Sequence, residues 1–213
     1  VMSQILAMLI ALPLGLWAGY REGGTVDRMI SSAAFGALAV PNFVLGILLI
    51  LLVSIWLGWL PASGFVAFES DPIGNLRTMI LPSLTLALVE APVYLRLLRS
   101  DVASTLREEY ITVARAKGLS NWRILVTHAL RPSSFGLVTV MGINIGHLIG
   151  GAVVIETLFA LPGVGRLLIE AINKRDLLMV QGTVLFVATA FVFVNLVVDT
   201  VYALLDPRLR HGH

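Results

Sequence analysis

The chain has 213 residues, 57% of them hydrophobic and 13% charged, with a formal net charge of +2 and a mean hydropathy of +0.90. A soluble domain carries about a quarter charged residues, so this composition excludes an ordinary soluble protein and points to lipid-spanning helices of about 20 residues each. Disulfides and thiolate metal sites are excluded because no cysteine is present, and the pI near 9.3 reflects basic residues between apolar stretches, not a nucleic-acid surface.

Five apolar stretches are long enough to span a membrane. In the first, Met2–Tyr20, Gly15 and Gly19 stand four apart, a spacing suited to close helix packing. The second, Met29–Leu60, is too long for one straight crossing, and Pro41 is predicted to kink it or split off a short lead-in helix. The third, Thr78–Leu98, holds Glu90 two residues before Pro92. A charge near a span centre is costly and should face protein or water. Glu90 is therefore either a pathway-lining acid beside a proline-loosened helix or a buried carboxyl paired within the bundle.

The stretch 99–134 follows. Within it, Tyr110 to Pro132 reads as two short helices joined at a glycine. Ala114 and Ala116 keep one surface of the first helix low, so that another protein can approach its backbone. Gly118 fits the left-handed position that ends a helix. Ser120 suits an N-cap, and Leu119 and Ile124 fall at the spacing of a hydrophobic staple. With Arg115, Lys117, Arg123 and Arg131 on it, the segment has the character of a compact basic docking knob.

The fourth span, Phe135–Leu158, repeats Gly142, Gly146 and Gly150 on one flat face. Asn144 and His147 lie on an adjacent face, either as a polar strip along a path or as hydrogen-bond partners across a helix pair. Between 159 and 181, Leu161-Pro162-Gly163-Val164-Gly165 precedes an amphipathic Leu167–Ile172 stretch too short to span. Its glycines and proline are expected to free the backbone to turn sharply. In the fifth span, Gly182–Leu205, Asp199 is, like Glu156, a candidate structural partner for arginines, and Asp206-Pro207-Arg208 reads as a helix stop with an ion pair.

Basic residues are shared unequally between the two sides. Arg21, Arg28, Arg96, Arg99, Arg107, Arg115, Lys117, Arg123, Arg131, Arg208 and Arg210 fall on one side, and Arg77, Arg166, Lys174 and Arg175 on the other. Positive charge stays inside, so the 99–134 loop and the C-terminus are expected in the cytosol. The same rule places Val1 outside, although no basic leader region precedes Met2–Tyr20. Val1 is therefore expected to be an interior residue of a longer chain. No phosphate-binding Gly-x4-Gly-Lys motif occurs, nor His-Glu-x-x-His or Gly-x-Ser-x-Gly, and His128, His147, His211 and His213 lack metal-ligand spacing.

The 110–132 segment resembles the cytoplasmic coupling loop of bacterial ABC importer permeases, in which a Glu-Ala-Ala triplet precedes a glycine and, later, a Leu-Pro ending. Gly118 and Leu130 match, whereas Thr112 and Val113 replace the Glu and first Ala, and Pro132 lies one residue late. Ala114-Arg-Ala-Lys-Gly-Leu-Ser120 with His128-Ala-Leu-Arg131 is similar to the dipeptide, oligopeptide and nickel branch. The likeness continues through Glu156-Thr-Leu-Phe-Ala-Leu-Pro-Gly-Val-Gly-Arg166, Arg175-Asp176, Val180-Gln-Gly182 and Asp199 to Arg208.

The resemblance implies an all-α polytopic bundle of the type I importer kind, forming one permease domain over 1–213. It has five spans in this stretch of chain and six in the whole, the resembling branch having a further N-terminal span and an extracytoplasmic segment before the position of Val1. It also implies a 99–134 coupling loop and a 159–181 outer half-helix near the substrate entrance. The expected partners are a second related permease, ATP-binding subunits that hold ATP and magnesium, and an extracytoplasmic binding protein, all at the inner membrane. Short peptides are the expected cargo, with nickel complexes or glutathione as alternatives, and no cofactor is expected on this chain. Two competing readings are an ion- or proton-coupled secondary transporter using Glu90, Asn144 and His147, and an intramembrane enzyme using Glu90, His147 and Asp199.

Overall fold

The computed structural model describes residues 1–205, with backbone alone at 135, 146, 147, 149–151, 199 and 201–205. Among these residues all regular structure is helical. In chain order the helices are α1 (Met2–Tyr20), α2 (Thr25–Ala39), α3 (Asn42–Leu49) and α4 (Pro72–Thr105). After them come α5 (Glu109–Ala116), α6 (Asn121–Arg123), α7 (Leu130–Gly151), α8 (Val153–Leu158), α9 (Val164–Asn173) and α10 (Leu177–Leu205). Two stretches wind more widely, as π-helix: Ile50–Trp56 after α3 and Ile124–Ala129 after α6.

Three helices are long and apolar enough to cross a membrane, or up to five if each broken pair is one span. The break in the second stretch falls at Pro41, whose extended backbone (φ −58°, ψ 143°) lets its carbonyl accept from Val44 and Leu45. Hydropathy marks only the apolar middle of the third span. The helix itself runs 34 residues, roughly 50 Å against a hydrocarbon core of about 30 Å, so both its ends pass beyond lipid. The fourth stretch is not one helix, because α7 stops at Gly151 and α8 begins at Val153.

The chain divides into two compact units. One comprises 4–39 and 88–141. In it α1 packs on the second half of α4 along a stripe of small residues, with Ala7, Ala11 and Ala18 fully buried. A Cβ on Gly15 would lie 3.1 Å from the Leu95 carbonyl, and one on Gly19 would lie 2.9 Å from that of Arg99. The sequence spacing of these glycines thus reports a close helix crossing.

The other unit comprises 1–3, 40–87 and 142 onward. Its core is Leu81, Ile155 and Phe159, covered by Leu49, Val53, Leu86 and Leu158 among others. Gly46 lets α3 close on this core, since a Cβ there would meet Leu158 at 2.6 Å. Gly142 of α7 is buried against Val198 of α10. The side-chain surroundings of Gly146 and Gly150, and the whole of Asp206, lie outside the described residues.

Candidate functional site

The knob is built from local rules. α5 ends with Lys117 as its cap and Gly118 at φ +77°, where a side chain would strain the backbone. Gly118 N–H donates to the Arg115 carbonyl at 2.9 Å and Leu119 N–H to that of Ala114 at 3.3 Å, the paired bonds of a Schellman ending. Ser120 then caps α6, its hydroxyl accepting from Arg123 N–H at 3.4 Å. Ile111, Ala114 and Ile124 form a small buried core between the two helices, with Leu106 and Leu119 packed against it. The Tyr110 hydroxyl ties the far end by donating to the His128 carbonyl at 3.2 Å.

One expectation needs correction. Ala114 is buried in the seam between the two helices and so does not present a low outer surface. Its small side chain serves packing within the chain. Ala116, Arg115, Lys117 and Ser120 remain exposed, joined by Val113. Among the described residues Arg115 and Lys117 have no ion-pair partner, so this outer surface is basic.

A clamp that sequence spacing does not reveal anchors this unit. Arg99 at the end of α4 grips Asp27 of α2 with two bonds, Nε at 2.9 Å and Nη2 at 2.7 Å. Asp27 is buried and also accepts from Gly23 N–H and the Ser31 hydroxyl. The Arg99 guanidinium beside it, against the cost of burial, holds its carboxyl at about 2. Glu22 pairs with Arg107 one turn before α5. The signal available in sequence is a pair of acids, Glu22 and Asp27, in a turn otherwise marked by Arg21 and Arg28.

Glu90 is half-buried on α4 and accepts from the Tyr94 hydroxyl at 3.1 Å. Tyr94 is fully buried, and its oxygen lies 2.8 Å from Gln4 Oε1 on α1. One hydroxyl proton cannot serve both acceptors, while Gln4 Nε2 is buried with no partner among the described residues. Turning the Gln4 amide over gives each of the two contacts a proton: its NH2 donates to Tyr94, and Tyr94 donates to Glu90. Asn144 is half-buried on α7, and the side chains of His147 and Asp199 lie outside the described residues.

The Glu156 motif has a different basis from the expected one. Gly163 has ordinary negative φ and Gly165 is not left-handed, so neither is there for a sharp turn. The reason is space. A Cβ on Gly163 would overlap the Glu156 carboxyl, and one on Gly165 would sit 2.7 Å from Val153 Cα. Glu156 reaches the N-terminus of α9 and accepts from Arg166 N–H at 3.1 Å, supplying the cap that Gly163 cannot. Pro162 leads into this turn, and an Arg166–Glu170 pair at 3.0 Å lies on the first turns of α9.

Comparison with known proteins adds to this geometry. A family model described as "Binding-protein-dependent transport system inner membrane component" matches residues 11–211. A "Putative peptide transport system permease protein" of Brucella abortus (strain 2308) is 43% identical over 211 residues, covering 97% of this chain and 67% of that protein. The "Dipeptide transport system permease protein DppB" of Escherichia coli (strain K12) is 37% identical over 234 residues, with 99% and 69% covered. Among solved structures, an inward-facing MetNI methionine ABC transporter superposes with a TM-score of 0.78 at 15% identity, over 96% of this chain and 89% of that one. At that identity the match speaks for the fold alone.

Proposed function

The chain belongs to the family of binding-protein-dependent transport system inner membrane components, and from that membership we propose that it forms half of the translocation pathway of an ABC importer for short peptides. It is a non-catalytic, multi-pass permease component of the inner membrane, working with an ATPase and a binding protein. The peptide cargo rests on the relatives described as peptide and dipeptide permeases. Family membership displaces the ion-coupled and intramembrane-enzyme readings.

The observation that carries the proposal is the knob. It is a pair of short helices with its own small core and an outer surface whose basic groups have no counter-ion among the described residues, clamped through Arg99 to α2 and through Arg107 to the α1–α2 turn. ATP-binding subunits dock on it from the cytosol, and its tilt is passed to the spans, switching the cavity from outward- to inward-facing. A second, related permease completes the pathway. α10 suits both a subunit contact and lipid, since only 6% of its apolar window is buried within the chain. The 159–181 segment with α9 lies on the outer side, where the binding protein delivers substrate, and the C-terminus lies in the cytosol. Glu90, held by Tyr94, is the acid on the pathway, with Asn144 and His147 as further candidates.

The test is made on the reconstituted importer. Ala116→Trp adds bulk to the exposed face without entering the seam, so the subunit should assemble while uptake falls and ATP hydrolysis runs uncoupled. Normal uptake per ATP in vesicles would remove the knob from the mechanism.

A further inference from the structure

An apolar groove of about 340 Å³ runs between α1 and the start of the second knob helix, walled by Pro13, Leu16, Trp17, Tyr20, Trp122 and Leu125, with the Asn121 amide at its edge. Its aromatic side chains are not buried: Trp17 is 53% exposed and Trp122 72%. Arg21 follows Tyr20 and Arg123 follows Trp122. Among the described residues, neither arginine side chain has a hydrogen bond or counter-ion. An aromatic pair followed by arginine at the end of an apolar helix marks the headgroup level of a bilayer. Because Trp122 shares the groove with Trp17 and Tyr20, the knob meets the membrane at that level.

We infer that the groove holds an anionic phospholipid of the cytosolic leaflet, its acyl chain on the apolar floor and its phosphate at the end walled by Tyr20 and Trp122, the residues that Arg21 and Arg123 directly follow. Charge complementarity favours this occupant, since two free guanidiniums attract an anion next to an apolar trough. Depth favours it over the soluble ATP-binding subunit. From Tyr20 to Pro13 the groove descends roughly 10 Å along α1, into hydrocarbon that a soluble protein does not enter. The lipid would fasten the knob to the membrane surface at the same place where α1 leaves it. The leaflet rests on the cytosolic orientation proposed above, but the presence of a lipid does not.

The experiment uses the whole transporter complex, reconstituted into vesicles of equal phosphatidylglycerol and phosphatidylcholine, re-extracted gently and weighed by native mass spectrometry. The wild type should retain phosphatidylglycerol over phosphatidylcholine. The double variant Arg21→Gln/Arg123→Gln should reduce that preference about tenfold or more, at roughly 1 kcal/mol per arginine. A photo-reactive amino acid at Trp122 provides a second measurement that does not depend on the double variant folding, and it should capture lipid. Equal retention of both lipids by the wild type, an unchanged preference in the double variant, or capture of the ATP-binding subunit or second permease at position 122 overturns the inference. Thiol labelling of Ser120→Cys separates the two readings. Lipid retained with Ser120→Cys labelled from outside would refute the orientation alone, whereas no lipid with Ser120→Cys shielded from outside would refute the lipid alone.

Discussion

At Gly163 a single methyl group would collide with the Glu156 carboxyl that caps α9. Gly163→Ala should therefore push that carboxyl off the helix end and cost what a lost cap costs, about 0.5–2 kcal/mol, and adding Glu156→Ala should cost little more, because the two share one space. Melting of the single and double variants in detergent measures the coupling, and strictly additive losses would refute it. At Asp27 the argument is electrostatic. The folded state holds this carboxyl at about 2, below its ordinary 3.8. Its stabilisation is therefore present above pH 4 and lost as pH falls towards 2. Asp27→Asn should cost roughly 2–3 kcal/mol at neutral pH and much less near pH 2, as read from melting curves at each pH. Glu90 separates differently. Glu90→Gln keeps an acceptor for Tyr94 but removes charge, whereas Glu90→Leu leaves the buried hydroxyl without this partner, at a cost of roughly 1–3 kcal/mol. A role on the pathway predicts that the Gln variant assembles normally but transports with altered rate or pH dependence. Unchanged uptake by that variant, with failed assembly of the Leu variant, would leave a structural acid.

The helix endings divide into those a linear pattern marks and those it does not. Gly118, Ser120 and the Leu119–Ile124 staple are decided by residues within five positions of one another, so spacing alone locates them. Two further helices end the same way with no glycine to advertise it. Ala160 at φ 54° closes α8 and Arg175 at φ 56° closes α9, their following residues donating back to Glu156 and Ala171. Those endings cost what left-handed non-glycine residues cost, and nothing in the order of residues signals them. The burial of Ala114 and the reach of Glu156 to α9 depend on which way a helix is rotated, which one apolar pattern does not fix. The Asp27–Arg99 clamp joins residues 72 apart in sequence. At Gly118 the order of tolerance follows from backbone preference: glycine best, asparagine next, and valine worst by about 1–2 kcal/mol. Gly118→Val should loosen the knob and lower coupling, while Gly118→Asn should largely retain it. Equal coupling in both variants would show that the left-handed turn does not matter.

Across the whole molecule, orientation is the property most open to direct measurement. Cysteines replacing Ser63 and Asn173 should react with an impermeant thiol reagent added to intact cells, and one replacing Ser120 should not. Labelling of position 120 from outside would invert the assignment of sides. The spans themselves are readable in sequence because lipid imposes length and apolarity on any helix that crosses it. Their extensions into polar sequence, such as α4 from Pro72 to Thr105, carry no such mark. The widened winding at Ile124–Ala129 sits where the knob becomes α7. A π-turn holds one residue more than an α-turn. Rewinding that stretch as α would leave a residue over and turn Leu130 and the helix that follows by about 100° with a shift of ~1.5 Å. A joint of that kind converts a push into rotation, as a screw thread does.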